Sequence, residues 1–377
     1  MPAIARVLVV GAGMAGMTLG LALKRCGIAC EIVEIRAALT EPGTGITLQG
    51  PALRALQTVH ALEGCIRRGF AQTFFKTCDA QGNVTGTVDL PRLLGPQYPA
   101  TMGIMRQAVH EVLARELERL GVPIRLGLSV SALAQTDHDV DVTFTDGTRG
   151  TYDLVVGADG SGSAIREMMF GPQVGPRYTG QMNWRATVSR PPEVTGRYSY
   201  FGPTIKSGFN PVSEREMYIY VVQNVAERPC WLDEELPAML RGLLGEFGGI
   251  LGRARDEVRD PQQIICRPVF SMIMPPPWYR GRVILIGDAA HGNATACQRR
   301  QHCDRRCRGA GPSYPLGRAT RGGARGVHAG ALRAVPNGGG ELRAARRMGK
   351  APRHRRPPRG RPRGGELPHT RASRLVT

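Results

Sequence analysis

The sequence predicts an α/β fold: a Rossmann-like dinucleotide-binding domain with an inserted antiparallel β-sheet domain, followed by a disordered tail rich in Arg, Gly and Pro. Three observations predict it. A valine-rich strand runs directly into Gly11-Ala12-Gly13-Met14-Ala15-Gly16 and then a helix. The stretch from Tyr178 to Val222 alternates with period two. From Gly292 onward apolar periodicity disappears, so that segment cannot bury enough surface to offset its ordering entropy.

The first strand is Ala5 to Val10, apolar throughout, as a strand buried on both faces must be. Met17 to Cys26 then reads as a helix, with Leu19, Ala22 and Leu23 inward and Gly27 as its terminator. Ala29 to Ile35 is the second strand and carries Glu34 near its end, which completes a βαβ opening. Arg106 to Leu120 is helical, since Val109, Val112, Leu113, Leu117 and Leu120 recur at helical spacing before Gly121. Strands follow at Pro123 to Leu128, Val140 to Thr145 and Leu154 to Val156, with Asp146-Gly147 as a hairpin signal. Tyr198-Ser199-Tyr200-Phe201 and Met217-Tyr218-Ile219-Tyr220-Val221 carry the antiparallel pattern. Leu236 to Phe247 is a short helix, and Val283 to Ile286 is a last buried strand that ends at Gly287-Asp288. The expected domains are a first dinucleotide-binding part over 1–172, a substrate domain over 173–265, a return segment over 266–291 and a tail over 292–377.

Charge separates the tail from the body. The net charge of +19 suggests a nucleic-acid partner, but Gly292 to Thr377 holds 21 Lys plus Arg against three acids. Met1 to His291 holds 29 against 28 and is nearly neutral. No specific nucleic-acid binding by the folded part is expected. No apolar run approaches the roughly 20 residues of a membrane span. The N-terminus has no signal-peptide pattern, so a cytoplasmic protein is expected. Cys26, Cys30, Cys65, Cys78, Cys230 and Cys266 are scattered and read as buried thiols of a reducing compartment. His291, Cys297, His302, Cys303 and Cys307 fit no common zinc spacing, so no metal is expected.

The glycine motif has a physical role. Gly11 allows a tight turn, Gly13 lets a pyrophosphate approach the backbone, and Gly16 lets helix and strand pack closely. A helix N-terminus there offers free N–H groups and a positive dipole end. Glu34, 18 residues beyond Gly16, is placed to accept hydrogen bonds from a ribose diol. Two further motifs follow. Asp153-Leu154-Val155-Val156-Gly157-Ala158-Asp159-Gly160 precedes Ser161, Ser163 and Arg166, and Gly281 to Leu285 leads into Ile286-Gly287-Asp288-Ala289-Ala290-His291.

With these three motifs in this order, residues 1–291 resemble the single-component FAD-dependent aromatic hydroxylases, the class of p-hydroxybenzoate, phenol and salicylate hydroxylases. The resemblance implies that the first domain binds FAD. Gly11, Gly13, Ala15 and Gly16 would hold the pyrophosphate, and Glu34 the adenosine ribose. Arg106 would reach toward the FAD, Asp159 and Gly160 would touch both FAD and the nicotinamide donor, and Gly287 and Asp288 would meet the ribityl or ribose hydroxyls. Gly43-Thr44-Gly45-Ile46 falls where the family chain passes the flavin ring. The implied activity is hydroxylation of a small aromatic substrate with NADH or NADPH as electron donor and O₂ as oxidant, most of the chemistry belonging to the cofactor. A flavin oxidase or reductase without hydroxylation, an inactive remnant, and a nucleic-acid binder acting through the tail are the alternatives. No catalytic base is readable. Tyr198, Tyr200, His60 and His110 qualify by residue type alone, and a packed or surface role suits each better.

The resemblance stops after His291. Re-read one nucleotide later with permitted codons, Gly292 to Cys307 becomes Ala-Thr-Pro-Pro-Pro-Ala-Ser-Gly-Ala-Asn-Ile-Ala-Ile-Glu-Asp-Ala, a family-like flavin loop and helix start. A frameshift at about Gly292, with FAD binding and activity impaired, is therefore expected. A basic arm binding phosphates with steep salt dependence is the rival reading.

Overall fold

The computed structural model describes residues 4–39 and 43–292, and the expectations for the tail, including Cys297, His302, Cys303 and Cys307, lie outside them. The sequence-apolar strands assemble as one six-stranded sheet, in the order Tyr279–Arg280, Val283–Leu285, Leu154–Gly157, Arg6–Val10, Ala29–Glu34 and Ile124–Leu126. Its strands are parallel except for the edge strand Tyr279–Arg280, with Val9 between Val156 and Ile32 in register. Both faces are covered, which is why these strands lack alternation. Val7 and Val9 pack on Met17 and Leu21 of the Met14–Arg25 helix and on Val109 and Leu113 of the Arg106–Arg119 helix. Leu8 and Val10 pack the opposite way, against Val140, Val142, Phe144 and Tyr152 of a three-stranded antiparallel meander.

The meander corrects one reading. Asp146-Gly147 turns the Val140–Phe144 strand into Arg149–Tyr152, and a further strand at Val130–Gln135 completes the sheet. The first helix also starts earlier than expected, at Met14 with Gly13 as its N-cap, so Gly16 lies within its first turn. Cys26 and Cys230 are exposed rather than buried.

The third and largest sheet has eight strands, ordered His291–Gly292, Ile264–Ile273, Arg177–Ser189, Glu216–Asn224, Lys206–Pro211, Arg197–Phe201, Phe74–Cys78 and Val84–Asp89. It draws its last two strands from residues upstream of 100, where the sequence carried no strong alternation. One face is apolar: Trp184, Tyr198, Phe209, Ile219 and Val221 pack under Leu240 and Leu244 of one short helix, Leu251 of another, and Phe247 between them, where the sequence expected one helix over Leu236 to Phe247. The opposite face carries polar residues and meets a small fourth sheet of Phe70–Gln72, Thr101–Met105 and Gly45–Leu48. Among the described residues no helix is long and apolar enough to cross a membrane.

Candidate functional site

The three motifs converge at the ends of the parallel strands, where the six-stranded sheet gives way to loops. Gly11 leaves its strand at φ +107° and donates its N–H to Val33 O at 2.7 Å. A Cβ there would lie 2.5 Å from Ala158 O and 2.9 Å from the Cα of Asp159, so the first and second motifs touch at this point. Gly13 is different: a Cβ on it would meet nothing within 4 Å, which leaves its backbone open to a ligand at the helix N-terminus. Glu34 lies beside this turn, its Oε2 accepting from Ala12 N–H at 2.9 Å and its Oε1 from Arg36 N–H at 3.0 Å.

Asp159 caps the start of the Ala164–Phe170 helix, Oδ2 accepting from Ile165 N–H at 3.1 Å, while Oδ1 is buried without a partner. Burial pushes its carboxyl above the ordinary range, against the pull of the Ser163 hydrogen bond. Gly160 follows at φ +80°. The third motif approaches from the other side. A Cβ on Gly287 would lie 3.0 Å from the Cβ of Ala15. Arg166, buried on the Ala164–Phe170 helix, donates to Ser161 O at 2.7 Å, Val174 O at 2.9 Å and Ala289 O at 3.1 Å, tying the second motif to the third.

Arg106 heads the Arg106–Arg119 helix and is buried, with a would-be Cβ of Gly43 3.0 Å from its Cδ. Its positive charge opposes the main effect on Asp288, where burial pushes the carboxyl pKa up. A carboxylate whose folded pKa is raised destabilises the folded state once ionised, and the cost is relieved as pH falls through that raised value. Asp288→Asn is therefore expected to stabilise the flavin-free protein at pH 7, with the gain shrinking toward acid pH. Thermal unfolding across a pH series measures this, and an unchanged or inverted difference would contradict it.

The structure thus brings Gly11, Gly13, Ala15, Gly16, Glu34, Arg106, Asp159, Gly160, Gly287 and Asp288 to one region. The residues fit FAD: an open backbone cradle at Gly13, a carboxylate beside it, and a buried acceptor at Asp159 without a partner. The type-based candidates scatter. His60 is an exposed residue at φ 59° just after a helix, and Tyr198 and Tyr200 lie in the apolar core against Phe209. His110 is buried, with Nε2 2.8 Å from Ala12 O.

Sequence reasoning missed a second cluster, on the polar face of the eight-stranded sheet. Arg185 sits opposite Tyr220, and Asn210 opposite Tyr218. Arg185 Nη1 donates to Gly45 O at 3.0 Å and its guanidinium lies 5.2 Å from the Tyr218 ring centre. Asn210 Nδ2 donates to Thr47 Oγ1 at 2.7 Å, and Gln72 Nε2 donates to Asn210 Oδ1 at 2.5 Å. The Tyr220 hydroxyl is 2.8 Å from Ser199 Oγ, and burial pushes its pKa up. The period-two pattern that puts Met217, Ile219 and Val221 in the core necessarily puts Tyr218 and Tyr220 on the other face, so the signal was present. A separate cleft of about 710 Å³, lined among others by Arg67, Arg68, Arg215 and Glu257, includes none of these residues.

Comparison with known proteins agrees with this fold. The family model described as FAD binding domain matches residues 5–295. The chain is 33% identical over 293 residues to a 2-heptyl-3-hydroxy-4(1H)-quinolone synthase of Pseudomonas aeruginosa, covering 76% of this chain and 74% of that protein. It is 25% identical over 298 residues to 6-hydroxynicotinate 3-monooxygenase of Bordetella bronchiseptica, covering 76% of each. Among solved structures, HpxO of Klebsiella pneumoniae in complex with FAD and uric acid superposes with a TM-score of 0.69 at 22% identity, covering 77% of this chain and 74% of that one. A 2-methyl-3-hydroxypyridine-5-carboxylic acid oxygenase gives 0.65 at 24% identity over 76% of each chain. At these identities the two structures speak for the fold.

Proposed function

The chain belongs to the FAD binding domain family, whose members among its relatives are FAD-dependent monooxygenases, and on that premise we propose that it hydroxylates an electron-rich aromatic or heteroaromatic ring. NADH or NADPH supplies two electrons, and one atom of O₂ enters the ring while the other leaves as water. Bound FAD supplies the redox chemistry. The residues of the three motifs would hold it: the Gly13 amide at the pyrophosphate, Glu34 at the adenosine ribose, and Arg106 and Asp288 on the ribityl side, with Asp159 and Gly160 beside the nicotinamide donor.

The observation that carries the substrate reading is the polar sheet face of Ser199, Tyr220, Arg185, Tyr218 and Asn210, which meets Gly45 and Thr47 next to Arg106 and Gly43. Similarity to a quinolone synthase and a hydroxynicotinate monooxygenase supports a nitrogen heterocycle or phenol as the ring. The Tyr220 hydroxyl, on this polar face and 2.8 Å from Ser199 Oγ, is the donor to a ring oxygen. Tyr220→Phe is expected to raise KM about tenfold, the loss of one hydrogen bond at roughly 1.4 kcal/mol, with FAD affinity unchanged. A KM equal to wild type would remove Tyr220 from the substrate site.

The reading is tested by incubating FAD-loaded protein with NADH or NADPH, ¹⁸O₂ and a panel of phenols, hydroxypyridines and 4-quinolones. One labelled oxygen in a ring product is expected, and reductant consumption yielding only hydrogen peroxide would contradict hydroxylation. We also infer that the reading frame shifts near Gly292 and impairs activity, which the end of the family match at residue 295 supports. Coding DNA that excludes the alternative frame, or full activity of the chain as it stands, would overturn this.

A further inference from the structure

We infer that His110 is a positioning residue for the cofactor: its imidazole aims the Gly13 amide toward the pyrophosphate. His110 lies four residues after Arg106, one turn along the Arg106–Arg119 helix, so the two share a helix face. Arg106 lies close enough to Asp288 for its charge to act on that carboxyl. His110 reaches the glycine turn, where its Nε2 is 2.8 Å from the Ala12 carbonyl oxygen. The ring is 3% exposed, and Nδ1 is buried without a hydrogen-bond partner. A carbonyl only accepts, so Nε2 carries the proton.

The consequence follows from peptide geometry. The Ala12 carbonyl and the Gly13 N–H belong to one planar trans peptide, and so point in opposite directions. Drawing the carbonyl toward the helix turns the Gly13 N–H away from it, on the residue whose side-chain position is open. The preceding peptide is held as well, because Ala12 N–H donates to Glu34 Oε2 at 2.9 Å. His110 and Glu34 therefore fix Ala12 from both sides, and the turn is set before the ligand arrives. Preorganised donors bind more tightly than donors that must be ordered on binding.

The test uses the full chain with FAD itself as probe, its dissociation constant read from quenching of flavin fluorescence and its stability from the flavin-free Tm. His110→Leu removes the donor and is expected to weaken FAD binding at least tenfold. His110→Gln, whose amide N–H can replace Nε2–H, is expected to stay within threefold of wild type. Should His110→Leu not fold, His110→Phe fills the ring volume without a donor and carries the same expectation. A merely structural histidine would lower Tm in the Leu and Gln variants while leaving FAD affinity equal in both. That result, or wild-type affinity in His110→Leu or His110→Phe, would overturn the inference.

Discussion

Gly16→Ala is expected to weaken FAD binding roughly 100-fold relative to the parent chain. A Cβ at this position would collide with the carbonyl oxygen of Gly11 and approach Val9 Cγ1 to 3.3 Å. Neither neighbour can yield cheaply. Gly11 is anchored by its N–H on Val33 O and packed against Ala158, and Val9 is fully buried in the central strand. The helix must therefore move outward, carrying its N-terminal amides away from the phosphate position. Overpacking of this kind costs about 1–3 kcal/mol of stability. The same displacement charged to binding would weaken FAD by roughly 100-fold at 3 kcal/mol. Thermal denaturation and FAD titration measure the two effects. A dissociation constant within threefold of wild type would show that helix and strand do not need to pack this closely.

Arg166→Met is expected to have the larger effect on stability, at a different joint of the fold. Arg166 is 4% exposed, and its guanidinium satisfies Ser161 O, Val174 O and Ala289 O together. Ser161 lies two residues from Asp159, and Ala289 directly follows Asp288. Removing the fork leaves carbonyls of both motifs without their donor, at a cost of roughly 3–5 kcal/mol by analogy with broken buried charge pairs. Lys in its place is expected to recover little, because an ammonium cannot span three carbonyls in a planar fork. Denaturant midpoints should fall in both variants, and FAD affinity should fall with them. An unfolding free energy within about 0.5 kcal/mol of wild type for Arg166→Met would mean the two motif loops hold their positions independently.

The parts of this molecule legible in the sequence are those governed by local rules. Strand Arg6–Val10, its glycine turn and Glu34 form a unit within 30 residues, so period and turn chemistry suffice to place them. Arg166 could be quoted with the second motif, but that its guanidinium also reaches Ala289 depends on a crossover of 123 positions. Other features depended on distant partners. The Phe74–Cys78 and Val84–Asp89 strands are recognisable as members of the large sheet only once Phe74–Cys78 pairs with Arg197–Phe201. Val130–Gln135 exposes most of its residues, which blurs the alternation that marks a half-buried strand. Tyr218 and Tyr220 were read as strand residues, but which face points toward Gly45 is set by where the other sheet docks. His110 looked like a packed histidine and is one; its role comes from a contact 98 positions away.

The central claim is that three separated motifs build one FAD site. It is tested most directly by titrating FAD into the purified chain and into Gly13→Val, Asp159→Ala and Asp288→Ala, one substitution per motif, and following flavin fluorescence. The account predicts saturation at one FAD per chain for the parent and at least tenfold weaker binding for every variant. No saturable binding by the parent, or equal affinity in a variant that still folds, would contradict it.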